Sequence, residues 1–323
     1  MEELTFKDKL CELYADTLAI CPKFGRFLTK AFNIKFPHRD RIYLTRYWEA
    51  QKNNENITTL PKSDGLLRKI QLTNLAILKE FDFVCRTNGL NYWLTYGTSL
   101  GAKRHNGYIP WDDDIDVGMM RDDYEKFQKI FDKSTRNKDL YVEIIKNKHT
   151  PAMLLLKIKH KCLPFAFIDI FSYEYVSHSN TSEEREEKNK KLVELRKNID
   201  KEKSLLKKNI KEIQQYLQNL FNENICENSV PDKNNADIAI GIDFPCGDPI
   251  RLFSHDTIFP LKDIDFEGFS LKSVNNPEIF LEGMFGKSYM DYPPEISLGH
   301  ISGQIITKKE QKIMDELIKT LND

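Results

Sequence analysis

The chain has 323 residues, 40% of them hydrophobic and 30% charged, with 48 basic against 49 acidic side chains and a formal net charge of -1. That is enough chain for one large core or two modest ones, and the near-neutral balance gives no global case for a nucleic-acid ligand or an anionic membrane. No apolar run approaches the ~20 residues of a membrane span, and the opening MEELTFKDKL lacks the apolar centre of a secretory signal. The six cysteines, Cys11, Cys21, Cys85, Cys162, Cys226 and Cys246, are scattered without a CxxC pair. They read as reduced thiols of a cytoplasmic protein, not as a disulfide frame or zinc site.

Residues 1–62 read as a helical, partly aromatic lead-in. Leu4, Leu10, Leu13, Tyr14 and Leu18 suit an amphipathic helix ended by Pro22. Phe24, Phe27, Phe32 and Phe36 lie among Arg26, Lys30, Lys35, His38, Arg39 and Arg41. Such a segment packs on a core with its charges solvated, or touches a membrane surface or lipid-linked ligand. Residues 63–176 read as the core. Leu66, Leu67, Ile70, Ile77, Leu78, Phe81, Val84 and Cys85 recur at helical spacing from Ser63, and Gly89 suits the C-terminal cap. Asn91–Thr95 reads as the first strand. Gly97-Thr98-Ser99 reads as a sharp turn that lets backbone approach a ligand, and Ser99 to His105 as a short helix whose first amides can meet phosphate. This helix ends on the basic run Lys103-Arg104-His105.

Trp111 then leads into Asp112, Asp113, Asp114 and Asp116, with Ile115 and Val117 alternating with the last two acids. Strand side chains alternate between faces, so Asp114 and Asp116 are expected on one face. Paired carboxylates raise each other's proton affinity, and a hard divalent cation, Mg²⁺ or Mn²⁺, relieves the repulsion while keeping positions open for water and phosphate. A lone DxD is a weak signal; here it follows a phosphate-type turn and a basic run. Asp122 and Asp123 open the next helix as dipole partners. Leu140–Ile145, Met153–Ile158 and Phe165–Tyr175 read as strands, and Asp169 in the last is a carboxylate in an apolar strand, costly unless paired or metal-bound.

Residues 177–235 change character. Their dense charges and helically spaced Leu192, Leu195, Ile199, Ile213, Leu217 and Phe221 suggest a long helix or helical hairpin standing off the core. Residues 236–323 complete the domain, with a strand at 237–241, a hairpin between Ile258 and Val274, a helix begun by Asn276-Pro277, and a last helix opened by a Thr307/Glu310 capping box.

The run Gly97-Thr98-Ser99-Leu100-Gly101-Ala102-Lys103-Arg104-His105, followed by Tyr108-Ile109-Pro110-Trp111-Asp112-Asp113-Asp114-Ile115-Asp116, resembles the signature of the LicD/fukutin family, a branch of the nucleotidyltransferase fold. The resemblance implies an α/β (α+β) fold: a nucleotidyltransferase-like mixed β-sheet with flanking helices, here carrying a long helical insertion. It implies transfer of a phospho-alcohol, phosphocholine first, from a CDP-linked donor to a hydroxyl of a glycan or its lipid-linked precursor, at the inner face of the membrane. By that resemblance Asp114, Asp116 and Asp169 hold the metal, Asp169 standing in a matching Ile-Asp-Ile-Phe segment. Gly97, Thr98 and Ser99 cradle phosphate, and Lys103, Arg104 or both neutralise developing charge. His105 joins them or only fixes the loop. Trp111 stacks on the base or choline, or packs. Asp112 and Asp113 support the turn. His300 matches a family histidine, although the arginine that usually precedes it is absent. Tyr92, Trp93 and Tyr96 add rings that suit a quaternary ammonium. Other phospho-alcohols, a nucleotidyl transfer proper and an inactive nucleotide-binding relative stay open.

Overall fold

The computed structural model describes residues 56–147, 149–150, 152–226, 232–244, 252–294, 296 and 306–322. The basic-aromatic lead-in and His300 lie outside them. The first long element is α1 (Gly65–Thr87), whose Leu67, Ile70, Ile77, Leu78, Phe81 and Val84 are buried. It stops where expected: Gly89 takes a positive φ of 62° and the Leu90 amide donates to the Cys85 carbonyl at 2.9 Å, which closes the last turn. Then come β1 (Trp93–Leu94), α2 (Tyr96–His105), β2 (Asp116–Met120), α3 (Arg121–Ser134), β3 (Leu140–Lys146), β4 (Leu154–His160) and β5 (Leu163–Val176).

Seven strands form one mixed sheet. Its main path runs β1-β2-β5-β4-β3, and the upper part of β5 pairs with β6 (Asp237–Ile240), which pairs with β7 (Leu252–Ser254). β2 and β5 run parallel, joined through α3, β3 and β4; the other pairs are antiparallel. The expected mixed sheet with flanking helices is therefore present. One face packs Val117, Met119, Ile168 and Ile170 against α1 and α3. The other packs Met120, Phe171 and Tyr173 with Trp93, Phe253 and Phe280.

The charged insertion corrects one expectation. It is a hairpin of α4 (Ser182–Lys201) and α5 (Ile210–Asn224), but it does not stand off the core. Leu192, Ile199, Ile213, Leu217 and Phe221 are buried against Leu154, Val176, Ala239 and Leu252 of the sheet. Arg185 pairs with buried Asp237 at 3.1 Å, and buried Arg196 donates to the Ile242 carbonyl. Most of the remaining charges occupy the outer faces. Each fully buried aliphatic or aromatic side chain contributes about 1.5–3 kcal/mol, so an apolar stripe of this length is pulled onto the sheet.

The chain continues through α6 (His255–Ile258), the hairpin β8 (Lys262–Phe266) and β9 (Phe269–Ser273), α7 (Pro277–Phe285) and α8 (Lys308–Lys319). Glu267 and Gly268 turn the hairpin with positive φ, and the expected capping box of Thr307 and Glu310 is formed. Among the described residues, no helix is long and apolar enough to cross a membrane.

Candidate active site

The acidic run lies where the start of β2 meets the first turn of α2. Gly97, Thr98 and Ser99 are not a turn ahead of a helix: they form its opening turn, begun one residue earlier by Tyr96 at a positive φ of 44°. The Thr98 hydroxyl accepts from the Asp116 amide at 2.8 Å, and the Thr95 amide donates to the Asp116 carbonyl at 3.1 Å. These bonds pin the head of β2 to α2. Gly97 has a steric reason as well: a Cβ there would lie 2.7 Å from Asp112 Oδ2. The missing side chain admits that carboxylate to the positive end of the helix.

Strand pairing assembles the rest. Asp116 on β2 is in register with Asp169 on β5, and Asp169 with Lys157 on β4. Three neighbouring strands thus present a carboxylate, a carboxylate and an ammonium in one row. Lys157 Nζ lies 2.5 Å from Asp169 Oδ1 and 3.7 Å from the centre of the Phe167 ring. Asp116 and Asp169 are both buried. Asp114 precedes the strand in the loop, where its carboxylate and those of Asp112 and Asp113 bring ligand atoms within 4.8 Å of one another.

The electrostatics of this group are lopsided. Burial, then the charges of Asp114, Asp169 and Asp112, push the Asp116 carboxyl well above the usual range, with Lys157 opposing. Burial and the neighbouring Asp114 and Asp113 do the same to Asp112. Asp112 was expected to support the turn; its carboxylate instead sits beside Asp114. A cluster of hard oxygen donors that repel one another fits a small divalent cation. Asp112, Asp114, Asp116 and Asp169 are the residues that would hold it.

The backbone behind the acids is held by residues that the sequence reading passed over. Gln71 Nε2 donates to the Asp112 carbonyl at 2.8 Å, Asn74 Nδ2 to the Asp113 carbonyl at 2.8 Å, and the Tyr108 hydroxyl to the Gln71 carbonyl at 2.7 Å. Gln71 and Asn74 are buried on α1. Their signal was legible: a polar Asn74 stands on an apolar stripe midway between Ile70 and Leu78.

The expected basic residues go elsewhere. Lys103 pairs with Glu278 of α7 at 2.5 Å. Arg104 is buried and donates to the carbonyls of Tyr289 at 3.0 Å and Asp291 at 3.3 Å, and burial pushes it down to about 10. His105 accepts from Arg104 Nε at 3.0 Å, and burial with that neighbouring charge pushes it down to about 3. Trp111 is buried with one face on Tyr292, ring centres 6.3 Å apart. Tyr92 and Trp93 are core residues, and the Tyr92 hydroxyl donates to Asp82 at 2.6 Å. Of the aromatic residues near the turn, Tyr96 is half-buried. Its ring lies 4.6 Å from Phe171, which meets Phe244 at 4.8 Å. Phe171 is two residues beyond Asp169 on β5, hence on the same face.

Comparison with known proteins finds similarity over the same stretch of chain. Residues 89–214 match the LicD/FKTN/FKRP nucleotidyltransferase domain. Over 69 residues the chain is 48% identical to the lipopolysaccharide cholinephosphotransferase LicD of Haemophilus influenzae, covering 21% of this chain and 26% of that protein. Over 40 residues it is 48% identical to the human ribitol 5-phosphate transferase FKRP, covering 12% of this chain and 8% of that one. An uncharacterized protein of Rickettsia typhi is 42% identical over 62 residues, 19% of this chain and 20% of its own. The matched stretches thus span about a quarter or less of each relative.

Proposed function

We propose, from the match of residues 89–214 to the LicD/FKTN/FKRP nucleotidyltransferase domain, that this chain transfers a phospho-alcohol from a CDP-linked donor to a hydroxyl of a glycan or lipid-linked glycan precursor. The observation that carries the reading is the in-register pair Asp116 and Asp169 beside Asp112 and Asp114, set against the opening turn of α2. An acceptor oxygen forms a bond to the phosphorus that bears the alcohol, the diphosphate bridge breaks, and CMP leaves with the bridging oxygen. Mg²⁺ or Mn²⁺ held by Asp112, Asp114, Asp116 and Asp169 would supply charge neutralisation for the diphosphate. The first-turn amides of α2 offer donors to phosphate oxygens, and Thr98 keeps that turn fastened to Asp116. Asp169 orients the acceptor hydroxyl or takes its proton.

For the donor alcohol the first choice is choline. The relative with the longest of the stretches described acts as a cholinephosphotransferase, and the Tyr96, Phe171 and Phe244 rings lie one strand step beyond Asp169, a surface suited to a quaternary ammonium. Ribitol phosphate is the second reading, favoured by the FKRP match. A polyol donor would need converging hydrogen-bonding groups, because a site built for hydroxyls discriminates by them.

The test incubates the protein and Mg²⁺ with CDP-choline, CDP-ethanolamine, CDP-glycerol and CDP-ribitol separately, following CMP release and thermal protection. A donor at a hundred times its dissociation constant should stabilise the fold by ~2.7 kcal/mol. CDP-choline is expected to protect best and to release CMP. Preference for a polyol donor would remove choline and keep the class. Pyrophosphate release from a nucleoside triphosphate, with indifference to all four donors, would replace the class by nucleotidyl transfer.

A further inference from the structure

The row across the sheet contains a cation that neither the acidic run nor the basic run announces. Lys157 stands on β4, directly across from Asp169, which is directly across from Asp116. Its side chain is 17% exposed. Neighbouring strands lie about 4.8 Å apart, so an anion resting on a cation between Asp116 and Asp169 comes within reach of Nζ. Lys103 and Arg104, the two cations expected to meet phosphate, are held by Glu278 and by the carbonyls of Tyr289 and Asp291. We propose that Lys157 is a diphosphate-binding residue of this site: it neutralises Asp169 while the site holds no cation, and donates to a donor phosphate oxygen once a divalent cation takes over that neutralisation. The inference rests on the proposed reaction for its donor but not for its geometry, which asks only for a diphosphate.

The exchange follows from charge. Asp169 is buried and needs a positive partner. A divalent cation held at these carboxylates would be a stronger partner than a single ammonium, and would free Nζ from that duty without moving its strand. The Phe167 ring, 3.7 Å from Nζ, then keeps the ammonium in place through its π-face. A compact ammonium serves here as a point charge for phosphate.

Two arms test this, with inorganic pyrophosphate as the probe. In the first, Lys157→Gln retains a donor for Asp169 and removes the charge, while Lys157→Arg retains both. At saturating Mg²⁺, pyrophosphate binding by calorimetry should weaken about tenfold or more in the Gln variant and recover largely in the Arg variant, while affinity for Mg²⁺ alone holds or tightens. A residue that only positions Asp169 would do the opposite: Mg²⁺ affinity would fall and pyrophosphate affinity would not, and that result overturns the proposal. The second arm needs no variant and stands even where Lys157→Gln fails to fold. Lysine methylation of the unaltered protein, read by mass spectrometry, should rise at Lys157 on adding Mg²⁺ and fall on adding pyrophosphate as well. Labelling unmoved by pyrophosphate, or no pyrophosphate binding to the unaltered protein, overturns it. Pyrophosphate dependence on Lys157 with no turnover of any CDP-alcohol would uphold the lysine and sink the proposed reaction; turnover of a CDP-alcohol with pyrophosphate binding indifferent to Lys157 would do the reverse.

Discussion

Around Arg121, two buried carboxylates share one guanidinium; at the head of β2, among the described residues, Asp112, Asp114, Asp116 and Asp169 gather beside the Lys157 ammonium. In the first region Arg121 donates to Glu174 at 2.7 Å, to both oxygens of Asp243 at 2.9 and 3.1 Å, and to Ser172 Oγ at 2.9 Å, while Ser172 donates to Asp243 at 2.6 Å. Burial pushes Asp243 up, but Arg121 and these hydrogen bonds hold it below the usual range. Burial alone would lower Arg121, and Asp243 with Glu174 more than reverse that. In the second region the acids act on one another. Burial and like charge drive Asp112 and Asp116 up, and at Asp116 Lys157 offsets part of it. Both regions lie on the same sheet. Opposite charges buried together tie elements to one another, whereas like charges gathered in one place suit a ligand of the opposite sign.

The largest effect is expected where the balanced cluster is broken. Arg121→Met should lower unfolding stability by about 3–5 kcal/mol, because it leaves Glu174 and Asp243 buried without a countercharge. The denaturant midpoint reads this, and Mg²⁺ should restore none of it. Recovery by Mg²⁺ would mean that this cluster also binds cations and would erase the contrast.

The excess-charge region should answer differently. Asp116→Asn should reduce CMP release by more than about a hundredfold, ~2.7 kcal/mol of barrier. The same change should raise the melting temperature of the metal-free protein at neutral pH. The sign follows from linkage: Asp116 has a folded pKa raised above its unfolded value, so its contribution is fully present below the unfolded value of about 3.8 and is lost as pH rises through the folded one. Activity retained above a tenth of the parent, or a melting temperature that falls, counts against the assignment.

The smallest effect belongs to a group that burial keeps neutral. His105 is pushed down from 6.5 to about 3 by burial and by Arg104. Its contribution is present above the unfolded value and is lost as pH falls from about 6.5 toward the folded one. His105→Gln should therefore flatten the loss of stability on acidification below pH 6.5, measured by thermal unfolding across that window. An unchanged slope would show that His105 is free to take a proton in place.

Much of this was legible in the amino-acid order, and the reason is local. The stripe of α1, its Gly89 stop, the apolar run of β5, the hairpin at Glu267-Gly268 and the Thr307 capping box each depend on neighbours within a few positions. The acidic run and the small residues of α2 are likewise contiguous, so a family resemblance could place Asp114, Asp116 and Asp169 before any coordinates. Other relations spanned the chain. Arg121 is the first residue of α3, yet it meets Glu174 at 53 residues' separation and Asp243 at 122. The insertion read as a solvated arm because its charges outnumber its apolar residues, and only the sheet surface opposite its stripe revealed a second core. Lys157 is one of two lysines alternating along β4. What placed it beside Asp169 was the pairing of β4 with β5, and a slip of one residue would have turned it to the other face. Periodicity within a segment is set by the backbone of that segment. Which residues share a row across strands is set by hydrogen-bond register between segments far apart in the chain, and that is a property of the folded sheet alone.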